Sequence, residues 1–171
     1  MIRGGALTEG TMKDIRQWLN EYQESHLNPT NKLIHWICIP PIVLAVWGFL
    51  RAIPVGTDAV NAATVTGAAA LVYYAVLSWR LAIGVAVVFV MLYSVVQWSY
   101  DALGVTAHLW AMAAVFVAAW VGQFIGHNIE GRRPSFFKDL QFLLIGPLWL
   151  LADVYRRLDV AIDSRKAGAA G

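Results

Sequence analysis

Residues 24–50 read ESHLNPTNKLIHWICIPPIVLAVWGFL, and this stretch decides the fold class. From Leu33 to Leu50 there is no charged side chain, and the run approaches the ~20 apolar residues that a hydrocarbon core requires. Two imidazoles flank its start, His26 just before the run and His35 just inside it. A polar ring near hydrocarbon is costly unless something holds it, so the two histidines demand a partner.

Outward from this run, the rest of the chain has the same character. Of 171 residues, 58% are hydrophobic and 14% charged, and the mean hydropathy is +0.56. A soluble domain of this size needs more polar surface than that, so the composition points to an integral membrane protein. The length allows four or five spans and little else, which makes residues 1–171 one membrane domain. A net charge of +2 without a basic tract gives no reason to expect nucleic acid. Cys38 is the one cysteine, which excludes an intramolecular disulfide and disfavours a thiolate zinc site. Lys13, Asp14, Arg16, Glu21 and Glu24 precede the first apolar run, so no cleavable signal peptide is expected and the first span itself directs insertion.

Residues 11–26 place Ile15, Trp18, Leu19, Tyr22 and His26 on one helical face with charges opposite, the pattern of an amphipathic helix lying at a membrane surface. LNPTN then breaks the chain: Pro29 disfavours helix at Asn28, and Thr30 or Asn31 can cap the next helix. Spans are expected at 33–50, 59–77, 81–98 and 109–126. Residues 140–152 are short for a span and carry Gly146-Pro147, which suits a re-entrant or interfacial segment. The expected fold is therefore all-α and integral to the membrane: an N-terminal interfacial helix, four transmembrane helices and a C-terminal re-entrant or interfacial helix.

Four spans put the 78–80 turn and everything after residue 126 on the side of the N-terminus. That side then holds Arg3, Lys13, Arg16, Lys32, Arg80, Arg132, Arg133 and Lys138, against Arg51 alone on the other. The positive-inside rule makes it cytoplasmic, with both termini there. Arg156, Arg157, Arg165 and Lys166 keep the tail on the same side if 140–152 does not cross.

The same parity brings the imidazoles together. His26 and His35 lead into the first span, and His127, in GQFIGHNIEGRRP (122–134), leaves the fourth on the same side, with Glu130 close behind. His108 begins the fourth span on the opposite face, on the order of 30 Å away, and does not belong to the group. Taken singly, an interfacial histidine can serve as an anchor or a helix-cap partner, and Glu130 can pair with Arg132 or Arg133 instead of a metal. Gln123, one turn before His127, can orient a ligand or bridge helices. Trp18, Trp36, Trp79, Trp98, Trp110 and Trp149 lie mostly near span ends and read as interfacial anchors. The convergence of His26, His35 and His127 is what a simple anchoring role leaves unexplained. Neutral imidazoles with open coordination positions suit iron, zinc, copper or nickel, and histidine with carboxylate is the usual setting of non-haem Fe(II) oxygen chemistry.

Two blocks, YQESHLNPTNKLIHWICIPPI (22–42) and GQFIGHNIEGRRPSFFKDLQFLLIGPLWLL (122–151), resemble the two signature regions of the 2-hydroxy fatty acid dioxygenase family, whose fungal member takes part in degrading phytosphingosine to odd-chain fatty acids. Residues 51–118 are similar only as generic spans. The resemblance implies Fe(II)-dependent α-oxidation, in which O2 cleaves the C1–C2 bond of a 2-hydroxy fatty acid and leaves a chain one carbon shorter. It maps the metal-site histidines onto His26, His35 and His127, with Glu130 as a further candidate ligand. Arg132 and Arg133 are candidates to hold the substrate carboxylate, and Asn31 to support the turn or the substrate. The implied location is a bacterial cytoplasmic membrane, or the endoplasmic reticulum in a eukaryote, with fatty acid, O2 and the lipid bilayer as partners.

Two other functions remain compatible with these residues. The same histidines could serve a non-enzymatic membrane protein that binds metal or haem, or assists assembly. A transporter is disfavoured, because 59–98 carries almost no ionisable residue apart from Arg80 to line a polar path.

Overall fold

The computed structural model describes residues 13–131 and 136–162, and for 136–141 the backbone only. Five helices follow one another: α1 (Ile15–Glu24), α2 (Pro29–Arg51), α3 (Ala62–Leu77), α4 (Trp79–Glu130) and α5 (Phe136–Arg157). Among the described residues the one β feature is an isolated bridge between Gly56 and Asn61. Two helices, α2 and α4, are long and apolar enough to cross a membrane, while α3 is apolar but shorter.

α1 begins with a reciprocal cap. Asp14 accepts the Gln17 backbone N–H at 2.8 Å, and the Gln17 side chain accepts the Asp14 N–H at 2.9 Å, which satisfies two donors that a helix start leaves free. α2 starts earlier than the sequence suggests. Its cap is Asn28, which accepts the Thr30 N–H at 2.9 Å, rather than Thr30 or Asn31. Pro29 is the first helical residue, where its missing N–H costs nothing and its fixed φ suits the helix. The helix then runs through Pro40 and Pro41 without ending.

The largest departure from expectation is α4. The two segments expected at 81–98 and 109–126 are not separated by a loop. Helix extends from both sides to a single residue, Gly104, whose φ of 71° and ψ of 164° leave helical space. Only glycine adopts that conformation without strain. The chain reverses there: Ser99 Oγ lies 2.9 Å from His108 Nδ1, whereas nine residues of straight helix span about 13 Å. The two arms, 79–103 and 105–130, flank α2. On the first, Phe89 packs its ring 4.4 Å from that of Trp47, and on the second, His108 meets the Gly48 carbonyl.

α5 also differs from the sequence expectation. It is one continuous helix of 22 residues with Pro147 inside it, not a segment of 140–152 broken at Gly146-Pro147. Pro147 leaves the carbonyl four residues back, that of Leu143, without its helical donor. On the next residue the buried Tyr74 hydroxyl donates to Leu144 O at 2.8 Å, which ties α5 to α3. Ile145 and Leu148 are buried in the main core with Tyr22, Ile39, Tyr74, Leu81 and Val85. α5 thus ties α1 to the bundle at the end where α2 begins and α4 finishes.

A second polar cluster closes the opposite end. The buried Arg51 donates to Gln97 at 2.7 Å and to Asp58 at 2.6 Å, and its guanidinium sits 4.0 Å from the Tyr100 ring centroid.

Candidate metal centre

Three elements deliver the imidazoles. His26 stands in the turn between α1 and α2, His35 on the second turn of α2, and His127 on the last turn of α4. All three are buried, and each offers a ligand atom within 4.8 Å of the others. The ring centroids lie 4.2 Å apart for His26 and His35, 5.0 Å for His35 and His127, and 5.6 Å for His26 and His127.

Backbone carbonyls decide which nitrogen faces the centre. His26 Nδ1 lies 2.6 Å from Tyr22 O and His35 Nδ1 lies 3.0 Å from Asn31 O. A carbonyl only accepts, so each Nδ1 carries the proton and each Nε2 keeps its lone pair. This is the arrangement by which outer carbonyls fix metal-binding histidines. His26 Nε2 is buried without a hydrogen-bond partner, which is costly for a polar atom with no ligand to receive. Burial, aided by the neighbouring His127, lowers the His26 pKa from 6.5 to about 4. The ring is therefore neutral at pH 7 and free to donate its lone pair.

Glu130 has another partner. Its carboxylate accepts the backbone N–H of Leu27 at 2.8 Å, that of Asn28 at 2.9 Å, and the Asn31 side-chain amide at 3.0 Å. It clamps the turn carrying His26 onto the end of α4, and it is not among the grouped ligand atoms. Asn31 is fully buried and serves this clamp with its amide while its carbonyl orients His35. Gly126 makes the contact possible, because a Cβ there would run into Asn31 Oδ1. Arg132 and Arg133 lie outside the described residues.

His108 is placed as expected, far from this cluster. Its Nε2 donates to Gly48 O at 3.1 Å and its Nδ1 faces Ser99 at 2.9 Å. Gly48 is thirteen residues along α2 from His35, or about 20 Å of helix.

The structure adds residues that spacing alone did not mark. Tyr22 stacks flat on His26, with centroids 4.3 Å apart and planes 6° apart. Trp149, expected as an interfacial anchor, is instead buried, with its ring 5.5 Å from His26 and its indole N–H on Gln23 at 3.0 Å. Tyr22 was visible as a residue one turn before His26. Nothing local marked Trp149, because α5 reaches the site only through tertiary packing.

A family model described as 2-hydroxy-palmitic acid dioxygenase Mpo1-like matches residues 12–158, a range that includes all five helices and all three imidazoles. No curated protein matches the chain, and no solved structure does.

Proposed function

Because the chain belongs to the 2-hydroxy-palmitic acid dioxygenase-like family, we propose that it is an iron-dependent dioxygenase that shortens 2-hydroxy fatty acids by one carbon. The observation carrying this reading is the buried trio His26, His35 and His127, with ligand atoms within 4.8 Å of one another. The orphaned His26 Nε2 and a donor set of imidazoles without thiolate fit Fe(II) with positions left open. Iron held there supplies the binding and activation of O2. The balance R–CH(OH)–COOH + O2 → R–COOH + CO2 + H2O closes without a further reductant.

The chain's own contributions are positional. Tyr22 O and Asn31 O hold two ring tautomers, Glu130 fixes the turn bearing His26, and Tyr22 and Trp149 wall that ring from water. Arg132 and Arg133, following α4, draw the carboxylate of the fatty acid to the site by charge.

The proposal extends to topology. α2, α3 and the two arms of α4 form four crossings, α1 lies at the interface, and both termini face the cytoplasm of a bacterial inner membrane or of the endoplasmic reticulum. The acyl chain lies among the spans while its head remains at the polar boundary.

The test is direct. Purified protein with Fe(II), O2 and 2-hydroxypalmitate should yield pentadecanoate, and His35→Ala or His127→Ala should yield none. Iron-loaded protein that consumes no oxygen and forms no shortened acid overturns the proposal. A stoichiometric zinc or a haem Soret band in the same preparation would favour a non-enzymatic metal protein.

A further inference from the structure

A cavity of about 560 Å³ lies between α1 and the C-terminal end of α5. Arg16 and Asn20 line it from α1, and Asp153 and Asp159 from the end of α5 and just beyond. Such a lining, polar and with both signs of charge, suits a water-filled passage better than a fixed ion site. Its rim at Ala161 and Ile162 is held by the junction of α3 and α4: Ser78 donates to Ile162 O at 2.6 Å, and Arg80 to Ala161 O at 3.1 Å.

Gln23 and Trp149 also line this cavity, and both reach His26. Gln23 Nε2 donates to His26 O at 2.8 Å, and the Trp149 ring lies 5.5 Å from the His26 ring. The indole N–H in turn donates to Gln23 Oε1 at 3.0 Å. A carbonyl only accepts and an indole N–H only donates, so these two partners fix which way the Gln23 amide points. The Trp149 indole, latched to Gln23, thus stands between the cavity and the imidazole cluster. His26 is 2% exposed and His35 1%, so an ion reaches them when something moves. Below His35 the contact of α2 with α4 is apolar, through Cys38, Ile42 and Ala119, and a bare cation pays heavily to enter such surroundings.

We infer that the cavity between α1 and α5 is the passage by which a divalent metal ion moves between water and the three imidazoles, with Trp149, latched by Gln23, as its gate. The inference rests on the reading of the trio as a metal centre and deepens it by naming how the ion arrives. The rim is tied down by Ser78 and Arg80, so the opening motion falls to the indole. A gate is a barrier common to entry and exit. Loosening it speeds both by one factor and leaves Kd unaltered. A brace that shapes the site acts otherwise, since its loss weakens affinity chiefly through faster release.

The experiment uses the full chain in detergent and cobalt(II), whose visible spectrum reports binding. Uptake is followed on mixing metal-free protein with cobalt, release on mixing loaded protein with excess chelator, and Kd by titration. Trp149→Phe keeps an aromatic ring but lacks the N–H of the latch. Its uptake and release should both quicken about two- to tenfold, the worth of one hydrogen bond, with Kd unaltered. Ala152→Phe and Leu19→Phe add bulk to the cavity lining and should slow both by a common factor, again with Kd unaltered. Opposite directions of change keep the test open if one variant packs poorly. Native rates in all three variants overturn the inference. Faster release without faster uptake in Trp149→Phe makes the indole a brace and overturns it too. Native protein that takes up no cobalt overturns the metal-centre reading and this inference with it. Native uptake that His35→Ala abolishes upholds that reading whichever way the gate variants fall.

Discussion

The carboxylate of Glu130 accepts the backbone N–H of Leu27 at 2.8 Å across 103 residues of chain. With its bonds to Asn28 and Asn31, this contact closes the two halves of the site onto one another. Among the described residues, that carboxylate accepts from three N–H donors.

Glu130→Gln replaces one acceptor oxygen by an N–H that faces donors, so the clamp loosens while the imidazoles remain. Outer partners of this kind typically contribute 10- to 100-fold to metal affinity. Competition with a chelator should therefore show about 10- to 100-fold weaker metal binding in Glu130→Gln, and no measurable site in His127→Ala. Equal losses in the two variants would make Glu130 a ligand.

The acid stability of the metal-free protein follows from His26. Unfolded, the ring titrates at the ordinary 6.5; folded, at about 4 because it is buried. Between those values the unfolded chain binds more protons, so stability rises with pH across that window. The contribution is whole above pH 6.5 and is lost as pH falls toward 4. Thermal melts of chelator-treated protein should show Tm level above pH 6.5 and falling below it, with a shallower fall in His26→Gln.

Ser99 and His108 close the reversal of α4 at the far end of the bundle. Ser99→Ala leaves the buried His108 Nδ1 without a partner, at a cost of about 1–3 kcal/mol. The melting temperature should fall while metal content stays at the native level. Loss of metal in this variant would tie the far polar cluster to the site.

The proposed sidedness is open to labelling. In a Cys38→Ser background, which removes the buried thiol, cysteines at the exposed positions Val55 and Leu158 sit at opposite ends of the bundle. An impermeant maleimide should reach Val55→Cys only from outside the cell and Leu158→Cys only from the cytoplasmic face. Modification of both from one face would remove the four-crossing arrangement.

The apolar runs, the polar face of α1 and the placement of His26, His35 and His127 toward one end of the bundle were all legible in the sequence, because burial periodicity and helix length are local properties. His108 could be set apart from the other histidines on the same basis. Tertiary structure alone decided the rest. Gly104 reverses α4 in one residue because positive φ is open to glycine, while LGVT carries no strong turn signature. Pro147 lies inside a continuous α5 that Tyr74, from a distant helix, holds by donating to the Leu144 carbonyl, a contact that no local pattern announces. Glu130 turns to backbone N–H groups rather than to the imidazoles because Asn31 and the Leu27–Asn28 turn come within its reach only when α2 packs on α4. Sequence spacing places side chains along a rod; which partner a charged or kinked residue meets depends on what lies across the groove.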